Sequence, residues 1–314
     1  MTAIETARSD SPERGGGLIP GSEGLAAFSL IRRRAMAIPV LIAVPHAGRE
    51  YPPALLRRLR HPDDAPHRLE DRLVDLVGHA VARDTGAALL VAHAPRAMID
   101  LNRSPDDVDW EMVAGGGSKI RSRLAVGRRA RGGLGLVPRR LPGLGELWIA
   151  PLPRAELSER IETIHQPYHT ILSQTLETMR DRWGAALLVD LHSMPPLGPK
   201  TGDDPAVDYV IGDRFGGSCD NRLVLAGFDH LEKSGARAAH NQPYAGGYVL
   251  DRHGAPGRGI SALQLEVCRT AYLDRDMRHP GPGLDDVVQT VTGLVRRFAD
   301  ELAGSATGLA EAAE

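Results

Sequence analysis

The sequence predicts an α/β fold, a mainly parallel sheet with helices packed on both of its faces. Three observations carry this expectation. Short continuous apolar runs, Pro39-Val40-Leu41-Ile42-Ala43-Val44-Pro45 and Ala185-Ala186-Leu187-Leu188-Val189, read as strands buried on both sides. Segments with helical apolar spacing alternate with such runs. Both runs lead into a histidine, His46 and His192, at the edge where open α/β sheets hold their ligands.

The elements follow in order. Residues 1–27 read as a disordered extension, the first two dozen being rich in Ser, Gly, Glu and Thr, and a single domain is expected over 28–302. Val40–Val44 is a strand, and Tyr51-Pro52-Pro53 turns the chain after it. Over Asp71–Arg83, Leu73, Val74, Leu76, Val77, Ala80 and Val81 mark an amphipathic helix, closed by Gly86. Ala87–Ala94 is a strand and Ala97–Leu101 a shorter one. The stretch 105–145 is dense in Gly and Arg (Arg121, Arg123, Arg128, Arg129, Arg131) and reads as a solvated mobile loop within the domain. Arg154–Trp183 is a long helix that Pro167 interrupts. Strands at Ala185–Val189, Tyr209–Ile211 and Ile260–Val267 and helices at Asn221–Lys233 and Leu284–Leu302 complete the pattern, with 303–314 frayed.

Composition narrows the function classes. The net charge of −2 offers no basis for binding nucleic acid or an anionic membrane. No apolar run reaches membrane-span length. Two cysteines, Cys219 and Cys268, cannot build a disulfide framework and read as buried thiols. No signal-peptide apolar region precedes the domain, so a cytoplasmic protein is expected.

The chemistry-bearing residues gather at the strand ends. Neutral imidazole is a common zinc ligand, although a lone histidine there is more often a hydrogen-bonded structural residue. Asp190 lies two residues before His192, hence on the same strand face, where it can fix the tautomer of a ligand histidine. A catalytic zinc site calls for a third, carboxylate ligand, and Glu50, Glu70 and Asp71 all qualify by spacing. Glu266 sits on an otherwise apolar strand, where burial is costly without a partner. It reads as a general base for water or as half of an ion pair with Arg269 or Arg252. Arg103, in Ile99-Asp100-Leu101-Asn102-Arg103, offers a clamp for a carboxylate or half of an exposed structural salt bridge. Gly246 and Gly247, in the loop that begins at Asn241, allow a backbone pressed against a ligand.

These segments together resemble the N-formylglutamate amidohydrolase (N-formylglutamate deformylase) family. The match is Pro45-His46-Ala47-Gly48, Asp71, Ile99 to Arg103, Pro167-Tyr168-His169, Asp190-Leu191-His192-Ser193, Asn241 through Gly246-Gly247-Tyr248, and Gln264-Leu265-Glu266, in that order over about residues 38–300. The resemblance implies a three-layer sandwich of the zinc-carboxypeptidase type, with a mixed sheet of about eight strands. It implies one Zn2+ held by His46, Asp71 and His192, with Glu266 as the base and Asn102, Arg103, Asn241, Gly246 and Gly247 facing a small N-acyl amino acid. The implied reaction releases formate from N-formyl-L-glutamate, a step of histidine catabolism in some bacteria. The 105–145 stretch departs from the family's usual insert. Near the Gly-Gly-Tyr loop, where members often carry a basic residue, Asp251 follows instead and Arg252 and Arg258 are the candidate substitutes. A related N-acyl amino acid or peptide is the first alternative, and a non-catalytic carboxylate-binding protein the second. A serine hydrolase built on Ser193 with His192 or His169 is disfavoured, because adjacent strand residues face opposite ways and no Gly-x-Ser-x-Gly elbow is present.

Overall fold

The computed structural model describes residues 13–32, 36–115, 127–202 and 205–311. One sheet holds eight strands: β1 (Glu13–Gly16), β2 (Phe28–Ile31), β3 (Val40–Val44), β4 (Ala88–Ala92), β5 (Ala186–Met194), β6 (Tyr209–Gly212), β7 (Ala238–His240) and β8 (Ile260–Cys268). Their spatial order is β1-β2-β4-β3-β5-β8-β6-β7. The inner four, β4, β3, β5 and β8, run parallel, and the antiparallel pairings lie outward of them. The mixed sheet expected from the sequence is therefore present.

Six helices matter for the layers: α1 (Val74–Thr85), α2 (Arg154–Arg160), α3 (Gln166–Trp183), α4 (Asn221–Lys233), α5 (Tyr248–His253) and α6 (Leu284–Glu311). Strand alternation divides the core between them. Val40, Ile42 and Val44 pack with residues of α1, α4 and α6, whereas Leu41 and Ala43 pack with Leu157, Tyr168, Leu172 and Leu176 of α2 and α3. Both faces of the inner strands are covered, which is why these strands read as unbroken apolar runs.

Four expectations need correction. The ordered chain begins upstream of residue 28. Pro167 has no N–H, so the Thr163 carbonyl loses its α-helical donor and the backbone passes through a π-helical segment, Ile161–His165. That carbonyl accepts from the Leu18 N–H at 3.0 Å, with Gly17 packed so close that a Cβ would lie 2.4 Å from the same oxygen. Ile19 and Ala27 are buried, and β1 pairs with β2; residues 1–12 lie outside the described residues. Second, Ala97–Leu101 is a series of turns, because the Met98 N–H folds back to the Pro95 carbonyl at 2.8 Å. Third, α6 continues through the expected frayed tail to Glu311, with 312–314 outside the described residues. Fourth, the described part of the 105–145 stretch packs: Val108, Met112, Ala130 and Leu136 are buried, and Arg128–Arg131 is a helical turn. Arg121 and Arg123 lie outside the described residues.

Three histidines brace the turn that carries Asn102 and Arg103. His165 Nε2 lies 2.9 Å from the Arg103 carbonyl and His169 Nε2 lies 3.0 Å from the Leu101 carbonyl. A carbonyl only accepts, so both nitrogens carry protons. His169 Nδ1 is then an acceptor, and His253 Nε2, at 2.9 Å, donates to it. Burial holds His169 well below the ordinary imidazole range and pulls His253 down to about 3. Neutral His253 is thus favoured in the folded chain. Its contribution to stability is complete above the unfolded value of 6.5 and declines as pH falls toward about 3, where the unfolded chain binds the extra proton. Urea unfolding of wild type and His253→Asn from about pH 7.5 to about pH 5, across the upper part of that window, is expected to show a steeper loss of stability for wild type on acidification. Identical slopes would show that His253 is not held neutral in the folded chain.

Candidate metal centre and active-site cleft

The site forms at the carboxyl ends of the parallel strands. β5 presents Asp190 and His192 on one face and β8 presents Gln264 and Glu266 on the same face. The register sets Asp190 beside Gln264 and His192 beside Glu266. His46 follows β3 in a turn pinned by Gly48, where a Cβ would lie 2.0 Å from the Ala94 carbonyl oxygen. Only glycine allows that approach.

Asp71 is held by its backbone. Its N–H donates to the His46 carbonyl at 2.9 Å. The helix expected from Asp71 begins at Val74, so the Asp71 side chain is not spent as a cap. Asp71 Oδ2 lies 2.9 Å from His192 Nδ1 and 3.6 Å from His46 Nδ1. His46, Asp71 and His192 form a buried trio whose ligand-type atoms lie within 4.8 Å of one another. Of the other two candidate carboxylates, Glu50 is exposed and Glu70 faces Arg72 at 3.4 Å.

Each imidazole is held from behind by a buried carboxylate. His46 Nε2 donates to Asp100 Oδ1 at 2.7 Å, and His192 Nε2 donates to Asp190 Oδ2 at 2.9 Å. Both rings therefore turn Nδ1 toward Asp71. Asp100 is fixed in turn by the Asn102 N–H at 2.8 Å and by Arg96 Nε at 2.8 Å.

The electrostatics follow from burial and from these contacts. Burial alone would push Asp100 up, but Arg96, His46 and Arg103 bring it well below the usual carboxylate range. Asp71 behaves likewise, with burial opposed by His192 and His46. Burial would lower His192, yet Asp190 and Asp71 on its two nitrogens raise it well above the ordinary imidazole value. Glu266 is pushed up to about 7, chiefly by burial, with His192 opposing and Asp71 and Asp190 adding to the rise. Its Oε1 accepts from Gln264 Nε2 at 2.8 Å.

A cleft of about 460 Å³ opens over the trio. Glu266, Asn102, Arg103, Gly246 and Gly247 all line it. Asn102 is already engaged: its Oδ1 accepts from the Val249 N–H at 3.0 Å, and Gly247 packs so closely that a Cβ would lie 2.5 Å from that oxygen. Asn241 does not line the cleft, because its carboxamide is taken up by Asp213, donating to Oδ1 at 2.7 Å and accepting from the N–H at 2.9 Å. Arg252 and Arg258 also stand away from it, bonded to the Tyr248 hydroxyl and to Glu177. Arg269 pairs with Asp71 at 3.2 Å and donates to Ser193 Oγ at 3.1 Å, rather than pairing with Glu266. His169 belongs to the brace described above, and among the described residues no histidine is bonded to Ser193.

In the sequence Asp100 stands only as part of the Ile99 to Arg103 motif. The signal was available: like Asp190, it is a carboxylate that ends an apolar run, here Ala97-Met98-Ile99. Gln264 carried a fainter one, its two-residue spacing from Glu266. Nothing in the local sequence placed Arg68 and Arg129 at the cleft, since both reach it through tertiary contacts.

The chain is similar to known proteins over most of its length. A family model for N-formylglutamate amidohydrolase matches residues 38–273. The chain is 32% identical over 273 residues to an N-formylglutamate deformylase of Pseudomonas putida, covering 84% of this chain and 92% of that protein. It is 27% identical over 277 residues to an N-formylglutamate deformylase of Pseudomonas aeruginosa, with the same coverage. The crystal structure of N-formylglutamate amidohydrolase from Ralstonia eutropha superposes with a TM-score of 0.78 at 30% identity, covering 90% of this chain and all of that one. With the family model spanning most of its length and every inner strand of the sheet, the chain belongs to the N-formylglutamate amidohydrolase family.

Proposed function

We propose that this chain hydrolyses the formyl amide of N-formyl-L-glutamate, giving formate and L-glutamate, with a zinc ion held by His46, Asp71 and His192. The observation that carries the reading is the convergence of two imidazole Nδ1 atoms on Asp71, each ring backed by a buried carboxylate, beside a buried Glu266. Two imidazoles and one carboxylate fit a zinc site that keeps a position open for catalysis. The names of the relatives support formylglutamate as substrate.

Held by His46, Asp71 and His192, zinc would supply Lewis-acid polarisation of the formyl carbonyl and a lowered pKa for bound water. The remaining work falls to the protein. Asp100 and Asp190 orient His46 and His192 and hold their Nε2 protons. Glu266, raised by burial, accepts a proton from the attacking water and returns it to the leaving nitrogen. Gln264 holds the Glu266 carboxylate in place. Arg103 spends Nε on the Leu134 carbonyl and Nη1 on the Asn102 carbonyl, which orients it to meet the substrate's α-carboxylate with Nη2. Asn102 holds the Gly246-Gly247 wall against the cleft.

Formate release is to be measured on N-formyl and N-acetyl amino acids, with zinc content determined alongside. N-formylglutamate is expected to be the preferred substrate, with activity lost to a chelator and restored by zinc. Preference for another compound would reassign the substrate, and turnover insensitive to chelation would reject the metal. Glu266→Gln is expected to retain zinc and lose about 100-fold or more in kcat; ordinary turnover by that variant would sink Glu266 as the base. Metal uptake must displace the proton that Asp71 and Asp190 favour on His192, since only the neutral ring ligates. Zinc affinity is therefore expected to fall as pH falls, with proton release visible as a buffer-dependent binding enthalpy. A buffer-independent enthalpy would contradict that linkage.

A further inference from the structure

Five arginines line the cleft: Arg68, Arg96, Arg103, Arg129 and Arg269. Four of them spend donors on the protein. Arg68 reaches the Pro142 carbonyl, Arg96 binds Asp100, Arg103 binds two carbonyls, and Arg269 binds Ser193, the Glu70 carbonyl and Asp71. Arg129 differs. It is exposed at the cleft, and among the described residues no carboxylate lies within ion-pair distance of it.

The backbone of Arg129 is nevertheless held. It lies in the helical turn Arg128–Arg131, anchored by buried Ala130. Its carbonyl accepts from the Leu134 N–H at 2.9 Å, and the Leu134 carbonyl accepts from Arg103 Nε at 2.9 Å. One residue thus ties the two arginines together. Their charges oppose each other, and Arg129 adds to the effects that lower Arg103 from its ordinary value. Two cations held together at a cleft are relieved by a ligand that brings a second negative charge.

We propose that Arg129 is a specificity-determining residue that receives the side-chain carboxylate of an acidic N-acyl amino acid. The proposal deepens the amidohydrolase reading above and rests on it for the position of the scissile amide. In such a substrate the α-carboxylate is attached to the carbon that bears the reacting nitrogen. It therefore falls to the more deeply set Arg103, close to the metal trio. The side-chain carboxylate extends away from the reacting nitrogen and reaches the exposed rim, where Arg129 stands. Arg129, with Leu134 and Leu141 beside it, then forms the part of the cleft wall that selects a dicarboxylate.

The test compares kcat/KM for N-formyl-L-glutamate and for N-formyl-L-glutamine, which has the same shape without the second charge. Wild type is expected to prefer the glutamate compound, and Arg129→Ala to reduce that preference about 10-fold, mainly through KM. Arg129→Lys is expected to restore part of it, since a point charge replaces the fork. An unchanged preference in Arg129→Ala, or a loss shared equally by both substrates, would overturn the proposal. Calorimetric titration of glutarate and butyrate into the zinc-loaded protein separates this inference from the reading it rests on. Tighter binding of glutarate that is lost in Arg129→Ala supports the role of Arg129 even if no formyl amide is cleaved. Equal binding of the two acids by wild type refutes it.

Discussion

The structure depends on keeping four buried carboxylates, Asp71, Asp100, Asp190 and Glu266, at one end of an apolar sheet. Charges in such a place are tolerated only when paired and hydrogen-bonded. Asp100 is satisfied by His46, Arg96 and a backbone N–H, and Asp71 by His192 and Arg269. Asp190 bonds His192 through one oxygen, while its Oδ1 has no partner among the described residues. Among the described residues Glu266 bonds the Gln264 amide alone, so burial governs it and its proton affinity rises into the neutral range. Four identical functional groups thus acquire different roles from their neighbours alone.

The same constraint explains the geometry of the two histidines. Each ring is gripped at Nε2 by a buried carboxylate, and each therefore offers Nδ1 toward Asp71. The grip on His46 comes from the Asp100 turn, which is itself supported from below by His165 and His169. A chain of polar contacts runs from the interior of α3, through the turn at 101–103, to the trio of His46, Asp71 and His192. Within that chain, every nitrogen with an assigned proton faces an acceptor. That economy fits the low tolerance of a protein interior for unpaired donors.

The inner strands, α1, α3, α4 and α6 were legible because their apolar residues recur at the spacing their own geometry imposes. Gly86 ends α1 in the left-handed conformation, as its place after the apolar pattern implied. The pairing of Asp190 with His192 was legible for the same reason, since period-two geometry is local. What misled was local composition without its partners. The Ser- and Gly-rich start of the chain looked unstructured, yet Thr163 offers the carbonyl that captures Leu18. The Gly/Arg-rich stretch looked solvated, yet part of it returns to wall the cleft. Asn241, drawn from a family motif, turned out to face Asp213 instead of the cleft.

By itself the sequence determined the layered α/β architecture, the strand ends that bear His46, His192 and Glu266, and the family resemblance. Those features rest on periodicities of two and about 3.6 residues and on short ordered motifs, all of which are local. The tertiary structure decided which carboxylate joins the histidines, which nitrogen each ring presents, which arginines reach the cleft, and that Asp100 stands behind His46. These facts depend on contacts between residues as far apart as His46 and Asp100, or Asp71 and His192. Spacing along the chain carries no information about such pairs; only the closing of the sheet brings them within hydrogen-bond distance.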